Sequence, residues 1–220
     1  MSKPFLSVII PIQHEGEEIL DSLLSLDYML SLSEFSYECL LVYMNASIES
    51  KRVCEKFSTL VKYIDIAELK EKDRWGGFIT EGLRLTKGNL RMFIDSGSIP
   101  VFTEREKIIQ KMRDGYECVI ATSENILEGE YNIPKSIPYM VVIKEDLIPI
   151  IEKEYGSFHT HRVLFAEIVG FFLKNNIKTY VLPLEKKNYS KKRETVIDKI
   201  VHTKRLLALK REHKKRLKNK

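Results

Sequence analysis

Apolar and polar positions alternate between two periods from residue 5 to residue 183. Phe5 to Ile12 (FLSVIIPI) is a nearly continuous β-branched apolar run broken at Pro11. A strand buried on both faces has this pattern, so a central parallel strand is expected here. Glu17 to Leu32 then carries Ile19, Leu20, Leu23, Leu24 and Leu26 at helical spacing, and Tyr37 to Tyr43 (YECLLVY) returns to a strand run. Together these make one βαβ unit. The alternation continues with a helix over Ile48–Leu60, a strand at Val61–Ile66, a helix over Gly76–Thr86 stopped by Gly88, and a strand at Leu90–Asp95. Beyond lie a helix at Thr103–Asp114, strands at Tyr116–Ala121 and Tyr139–Ile143, helices at Glu145–Tyr155 and about His161–Asn175, and a strand at Thr179–Leu182. Strands alternating with helices predict an α/β fold with a mostly parallel, doubly wound sheet.

From Lys191 onward the pattern changes. Val196, Ile197, Ile200, Val201, Leu206, Leu207 and Leu209 are embedded in Lys and Arg without Gly or Pro, which predicts a basic, partly amphipathic helix. The chain thus divides into a globular domain over residues 1–190 and a helical tail over 191–220. Charge sharpens the division: the tail has 13 Lys/Arg against 3 Asp/Glu, and the remainder 23 against 28, so +10 is attached to −5. Such an extension suits an anionic membrane surface. Nucleic acid is not expected, because the body is acidic and lacks a recognised binding motif.

With 44% hydrophobic residues in 220, the chain can bury a large core. The first apolar stretch is interrupted by Gln13, His14 and Glu15 before it could span a bilayer, and Cys39, Cys54 and Cys118 lack C-x-x-C spacing. Neither a leader, a membrane span, a disulfide framework nor a zinc cluster is expected; a cytoplasmic protein, membrane-associated through its tail, is.

In an open parallel sheet, ligands collect at the carboxyl ends of the strands. Four segments stand there: Gln13-His14-Glu15, Met44-Asn45-Ala46-Ser47, Lys72-Asp73-Arg74-Trp75-Gly76-Gly77 and Asp95-Ser96-Gly97-Ser98. Arg74 beside two glycines suits a diphosphate, because a planar guanidinium matches phosphate oxygens and glycine permits close backbone approach. A loop-to-helix turn accounts for the glycines equally. Asn45 and Ser47 suit either ligand contact or the N-cap of the next helix. Asp95 with Ser96 suits either a binding loop or a strand-ending turn. His159 and His161, two apart, suit metal ligation or an exposed polar pair.

In order and context these segments resemble the family 2 glycosyltransferases of the GT-A fold. SVIIPIQHE (7–15) is similar to the family's opening strand with its P-V-Y-N-E ending, and YECLLVYMNAS (37–47) to the second strand ending in D-D-G-S. WGGFITEGLRLTKGNLRMFIDSGSIP (75–100) resembles the helix and strand ending in D-A-D-D-x-P, and AEIVGFFLKNNIKTYVLP (166–183) the late acidic helix and final strand. The resemblance implies sugar transfer from a nucleotide-diphosphate donor, a UDP-sugar, to a glycan or lipid-linked acceptor, with inversion and no covalent intermediate. By position it implies that Pro11 and Glu15 line the first loop, Asn45 meets the base, and Asp95 with Ser96 holds the donor diphosphate. Glu167 is implied as the general base, for which one carboxylate suffices.

Several acids of the family pattern are replaced: Gly97 and Ser98 follow Asp95, Met44 and Asn45 stand for an Asp pair, and Ala166 precedes Glu167. One carboxylate with serine hydroxyls is a poor Mg²⁺ or Mn²⁺ site, so the ion expected at Asp95 is weakly held. The alternative to a transferase is a catalytically inactive GT-A-like binding or scaffolding domain.

Overall fold

The computed structural model describes residues 3–69, 75–122, 140–154, 172 and 175–183. In it the chain runs β1 (Leu6–Ile12), α1 (Ile19–Ser31), β2 (Tyr37–Tyr43), α2 (Ile48–Leu60), β3 (Ile64–Glu68) and α3 (Trp75–Leu85). It continues through β4 (Leu90–Ile94), α4 (Arg105–Arg113), β5 (Cys118–Thr122), β6 (Met140–Lys144), α5 (Ile148–Glu154) and β7 (Thr179–Pro183). The segments 123–139, 155–171 and 184–220 lie outside the described residues, and with them the expected helix near residues 161–175, apart from Phe172 and Asn175, and the whole basic tail.

The strands form one mixed sheet in the order β3-β2-β1-β4-β6-β5-β7. β1 is central and every residue of it is buried, as its continuous apolar run predicts. It pairs in parallel with β2 on one side and β4 on the other. The sheet is mostly parallel, as expected, with β6 the exception: it is antiparallel to both β4 and β5, while β7 is parallel to β5. Apolar runs such as MVVIK specify burial on both faces but carry no sign of strand direction.

Helices cover both faces. One face of the sheet packs Val8, Ile10, Leu41 and Met92 against α1, α2 and α4, through Leu23, Leu26, Phe57 and Ile108. The other packs Ile9, Leu40, Val42 and Phe93 against α3 and α5, through Phe78, Ile79, Leu83 and Ile151. The odd and even positions of β1 thus feed two cores, the consequence of its two-residue side-chain period.

Several element boundaries differ from the periodicity, and at two of them the physical cause is visible. The third strand begins at Ile64 rather than Val61, because a turn closed by Ile64 N–H donating to Val61 O (3.3 Å) consumes the intervening residues. The expected helix at Thr103–Asp114 is α only from Arg105, preceded by a 3-10 helix over Ser96–Glu104. Pro100 lies inside that stretch, and proline lacks the N–H that an α-helical interior requires.

At the amino edge of the sheet, Gly88 N–H donates to Ser7 Oγ (2.8 Å) and to Glu38 Oε1 (3.2 Å), and Ser7 Oγ donates to Glu38 Oε1 (2.6 Å). A Cβ at Gly88 would lie 2.6 Å from Ser7 Oγ and 2.7 Å from Ser7 N, so the chain can enter β4 this close to β1 only at glycine.

Candidate functional site

β2 lies on one side of β1 and β4 on the other, so the chain reverses its winding direction between β1 and β4. A crevice forms at such a switch point, outside the carboxyl ends of the strands. Pro11 helps open it. Phe5 O accepts from Leu90 N at the entry to β4, and Ile12 O accepts from Met44 N beyond β2, so the odd positions of β1 face β4 and the even ones β2. Pro11 is odd and has no N–H to give, and the β1–β4 ladder stops at Ile9↔Phe93, while pairing with β2 continues to Ile12↔Tyr43. Pro11 is itself buried.

Glu15, half-buried after β1, ties the crevice together. Its Oε2 accepts from Gln13 N–H (2.6 Å), which curls the first loop, and its Oε1 accepts from Ser96 Oγ (2.9 Å) after β4. Ser96 is buried at this junction. Asp95 caps the 3-10 helix, its Oδ2 accepting from Gly97 N–H at 3.2 Å while its carbonyl accepts from Ser98 N–H at 2.8 Å. Side chains of Ser and Asp that turn back onto nearby N–H groups hold a loop in one conformation. Ser98 is 1% exposed, and its Oγ is buried without a hydrogen-bond partner.

The third wall follows β2. Asn45 is exposed with φ 55, in the left-handed region that asparagine tolerates better than most residues. Ser47 caps α2, its Oγ accepting from Ser50 N–H (3.1 Å), and its own N–H donates to Gln13 O (2.7 Å). Ser50 Oγ in turn accepts from Gly16 N–H (2.9 Å). The loops after β1, β2 and β4 therefore form one hydrogen-bonded unit, with Asn45, Asp95 and Glu15 around its rim.

Cys54 lies beneath this unit, where burial, with the charges of Glu15 and Glu55, pushes its thiol up to about 12. A thiol held neutral is no nucleophile. Cys39 and Cys118 are likewise buried thiols, raised by the same cause.

The structure thus brings together Pro11, Glu15, Asn45, Ser47, Asp95 and Ser96. Arg74, Glu167, His159 and His161 lie outside the described residues. Among the described residues no group of three His, Cys, Asp or Glu could hold a metal ion. Among the described residues, both Glu15 oxygens are hydrogen-bonded within the loops and Asp95 is the carboxylate that follows β4, a donor set poor in the carboxylates that a firmly bound divalent ion takes. No described helix is long and apolar enough to cross a membrane. The sequence carries no signal that pairs Glu15 with Ser96, 81 residues apart.

The model of the family described as glycosyl transferase family 2 matches residues 7–183. No curated protein matches the chain in sequence. Among solved structures, S. aureus TarS 1-349 is 13% identical with TM-score 0.57, covering 83% of this chain and 58% of that one. The mannosyltransferase PcManGT from Pyrobaculum calidifontis, solved with GDP-Man and Mn²⁺, is 12% identical with TM-score 0.62, covering 86% of this chain and 59% of that one. Glucosyl-3-phosphoglycerate synthase from Mycobacterium tuberculosis, solved with Mg²⁺ and UDP, is 11% identical with TM-score 0.62, covering 94% and 78%. TarS has also been solved with UDP-GlcNAc. At such identities the likeness is one of fold, and the chain spans less than two thirds of the first two.

Proposed function

Because the chain belongs to glycosyl transferase family 2, we propose that it transfers a sugar from a nucleotide-diphosphate donor, a UDP-sugar, to a glycan or lipid-linked acceptor with inversion at the anomeric carbon. The observation that carries this most directly is the Ser96 Oγ to Glu15 Oε1 hydrogen bond of 2.9 Å, which locks the loops after β1 and β4 together across the switch point. The nucleotide and nucleotide-sugar ligands of the solved fold relatives support the donor class.

In this proposal Asn45 meets the nucleotide base, Arg74 pairs with the diphosphate, and Asp95, with Ser96, orients the loop against which the diphosphate rests. Backbone N–H groups and a guanidinium can stabilise phosphate charge without a metal ion. Glu167 accepts the acceptor hydroxyl's proton as that oxygen bonds to the anomeric carbon. The bond from that carbon to the diphosphate oxygen breaks on the opposite face, and its electron pair leaves with the nucleoside diphosphate. A Mg²⁺ or Mn²⁺ ion accompanying the donor is weakly held, and no step depends on it.

Titration calorimetry with UDP and UDP-sugars, with and without chelator, tests this. Asp95→Ala should weaken donor binding about tenfold, on the order of one hydrogen bond to a charged group. Chelator should change the native affinity little, and Gly97→Asp should make binding metal-dependent. If chelator abolishes native binding, a full cation site exists, with His159 and His161 the first residues to substitute. The second reading, an inactive scaffold, is favoured by the loss of acids at Gly97 and at Ser98, which is also buried. It replaces the first if no nucleotide or nucleotide-sugar binds.

A further inference from the structure

α1 presents an apolar stripe to solvent. Leu20, Leu24, Tyr28 and Leu32 recur every fourth position and are 40%, 50%, 66% and 57% exposed. The opposite face of the helix, with Ile19, Leu23, Leu26 and Leu30, is buried in the core. Four large side chains in line form a continuous patch rather than the scattered exposure usual on a surface.

The charges on α1 itself and its flanking residues are of one sign. No Lys or Arg occurs between Lys3 and Lys51, and Glu17, Glu18, Asp21, Asp27 and Glu34 all fall in or beside α1. Glu17 is paired with Arg52 (3.2 Å), and Asp27 accepts from Tyr63 Oη (2.6 Å). Asp21 and Glu18 remain on the exposed side as acids with no cation on their own helix. An acidic apolar face is repelled by an anionic bilayer and by a second copy of itself in a two-fold contact. A basic amphipathic helix satisfies both its properties, supplying apolar contact along the stripe and cations at its borders.

We infer that the exposed face of α1 is the docking surface of this chain's own residues 191–220. Ile197, Ile200, Val201 and Leu207 supply an apolar set at helical spacing, and the segment's net charge of +10 opposes the acids of α1. The connection is long enough. β7 is four strand positions from β1, about 19 Å across the sheet. The residues between Pro183 and Val196 can extend about 40 Å. Tethering raises the local concentration of the segment to about millimolar, so a weak intrinsic affinity suffices.

Zero-length carbodiimide coupling of the full chain, with peptide mapping of the monomer band, tests the assignment. The expected products join Asp21 or Glu18 to lysines of 191–220 within one chain. Leu24→Glu and Tyr28→Glu change exposed positions, so the fold should persist, as circular dichroism would verify. Each should lower the yield of these products about tenfold, the factor that ~1.4 kcal/mol of lost contact produces. Products that form only between chains, that join the tail to other surfaces, or that are unaffected by the two substitutions would overturn the assignment.

Discussion

Asn45 separates structural from functional demands at a single residue. Its φ of 55 costs most side chains about 1–2 kcal/mol and glycine nothing. Asn45→Gly should therefore leave stability within about 1 kcal/mol of the native chain, while removing the side chain proposed to meet the base. Donor affinity measured by calorimetry should fall with an unchanged unfolding midpoint. Asn45→Val should instead destabilise by the left-handed penalty. Native affinity in Asn45→Gly would reduce Asn45 to a turn residue. Ser47 differs in kind, because its hydroxyl is visibly occupied as the cap of α2, the structural one of the two roles its sequence position allowed.

At the level of elements, the entry to β4 is the most constrained junction described. Gly88 presses on the backbone of Ser7, while Glu38 Oε1 accepts from Ser7 Oγ, Gly88 N–H and Lys87 N–H, the last at 2.5 Å. Backbone cannot move aside as a flexible side-chain end can. Gly88→Ala should lower stability by about 1–3 kcal/mol, the usual range for overpacking, read as a lower urea midpoint with little change in slope. Since β4 carries Asp95 and Ser96 on its far end, the same variant should also weaken nucleotide binding. An unchanged midpoint would mean that β1 and β4 tolerate more separation than their parallel ladder implies.

For the molecule as a whole, the basic tail faces two rival anionic surfaces, α1 and lipid. Each Lys or Arg near an anionic bilayer contributes about 1 kcal/mol, so residues 191–220 are expected to bring the chain to such membranes. Docking on α1 opposes this. Co-sedimentation with phosphatidylserine vesicles should be lost when 191–220 are deleted and increased by Leu24→Glu, which frees the segment. Vesicle binding that survives deletion would place the membrane contact elsewhere on the chain.

Among the described residues, strand and helix identities follow from local periodicity, and α2 occupies the very residues 48–60 that the pattern predicts, because Ser47 caps it and its apolar positions recur every three or four residues. That Pro11, Glu15, Asn45, Asp95 and Ser96 stand at the carboxyl ends of strands is legible in the sequence. Their interlocking is not. The Glu15–Ser96 bond, the opening of the β1–β4 ladder at Pro11 and the reversed direction of β6 each depend on which strands lie side by side. Periodicity records only whether a side chain faces core or solvent, whereas strand neighbours are chosen by packing between residues far apart in the chain, and so the tertiary structure alone decided them.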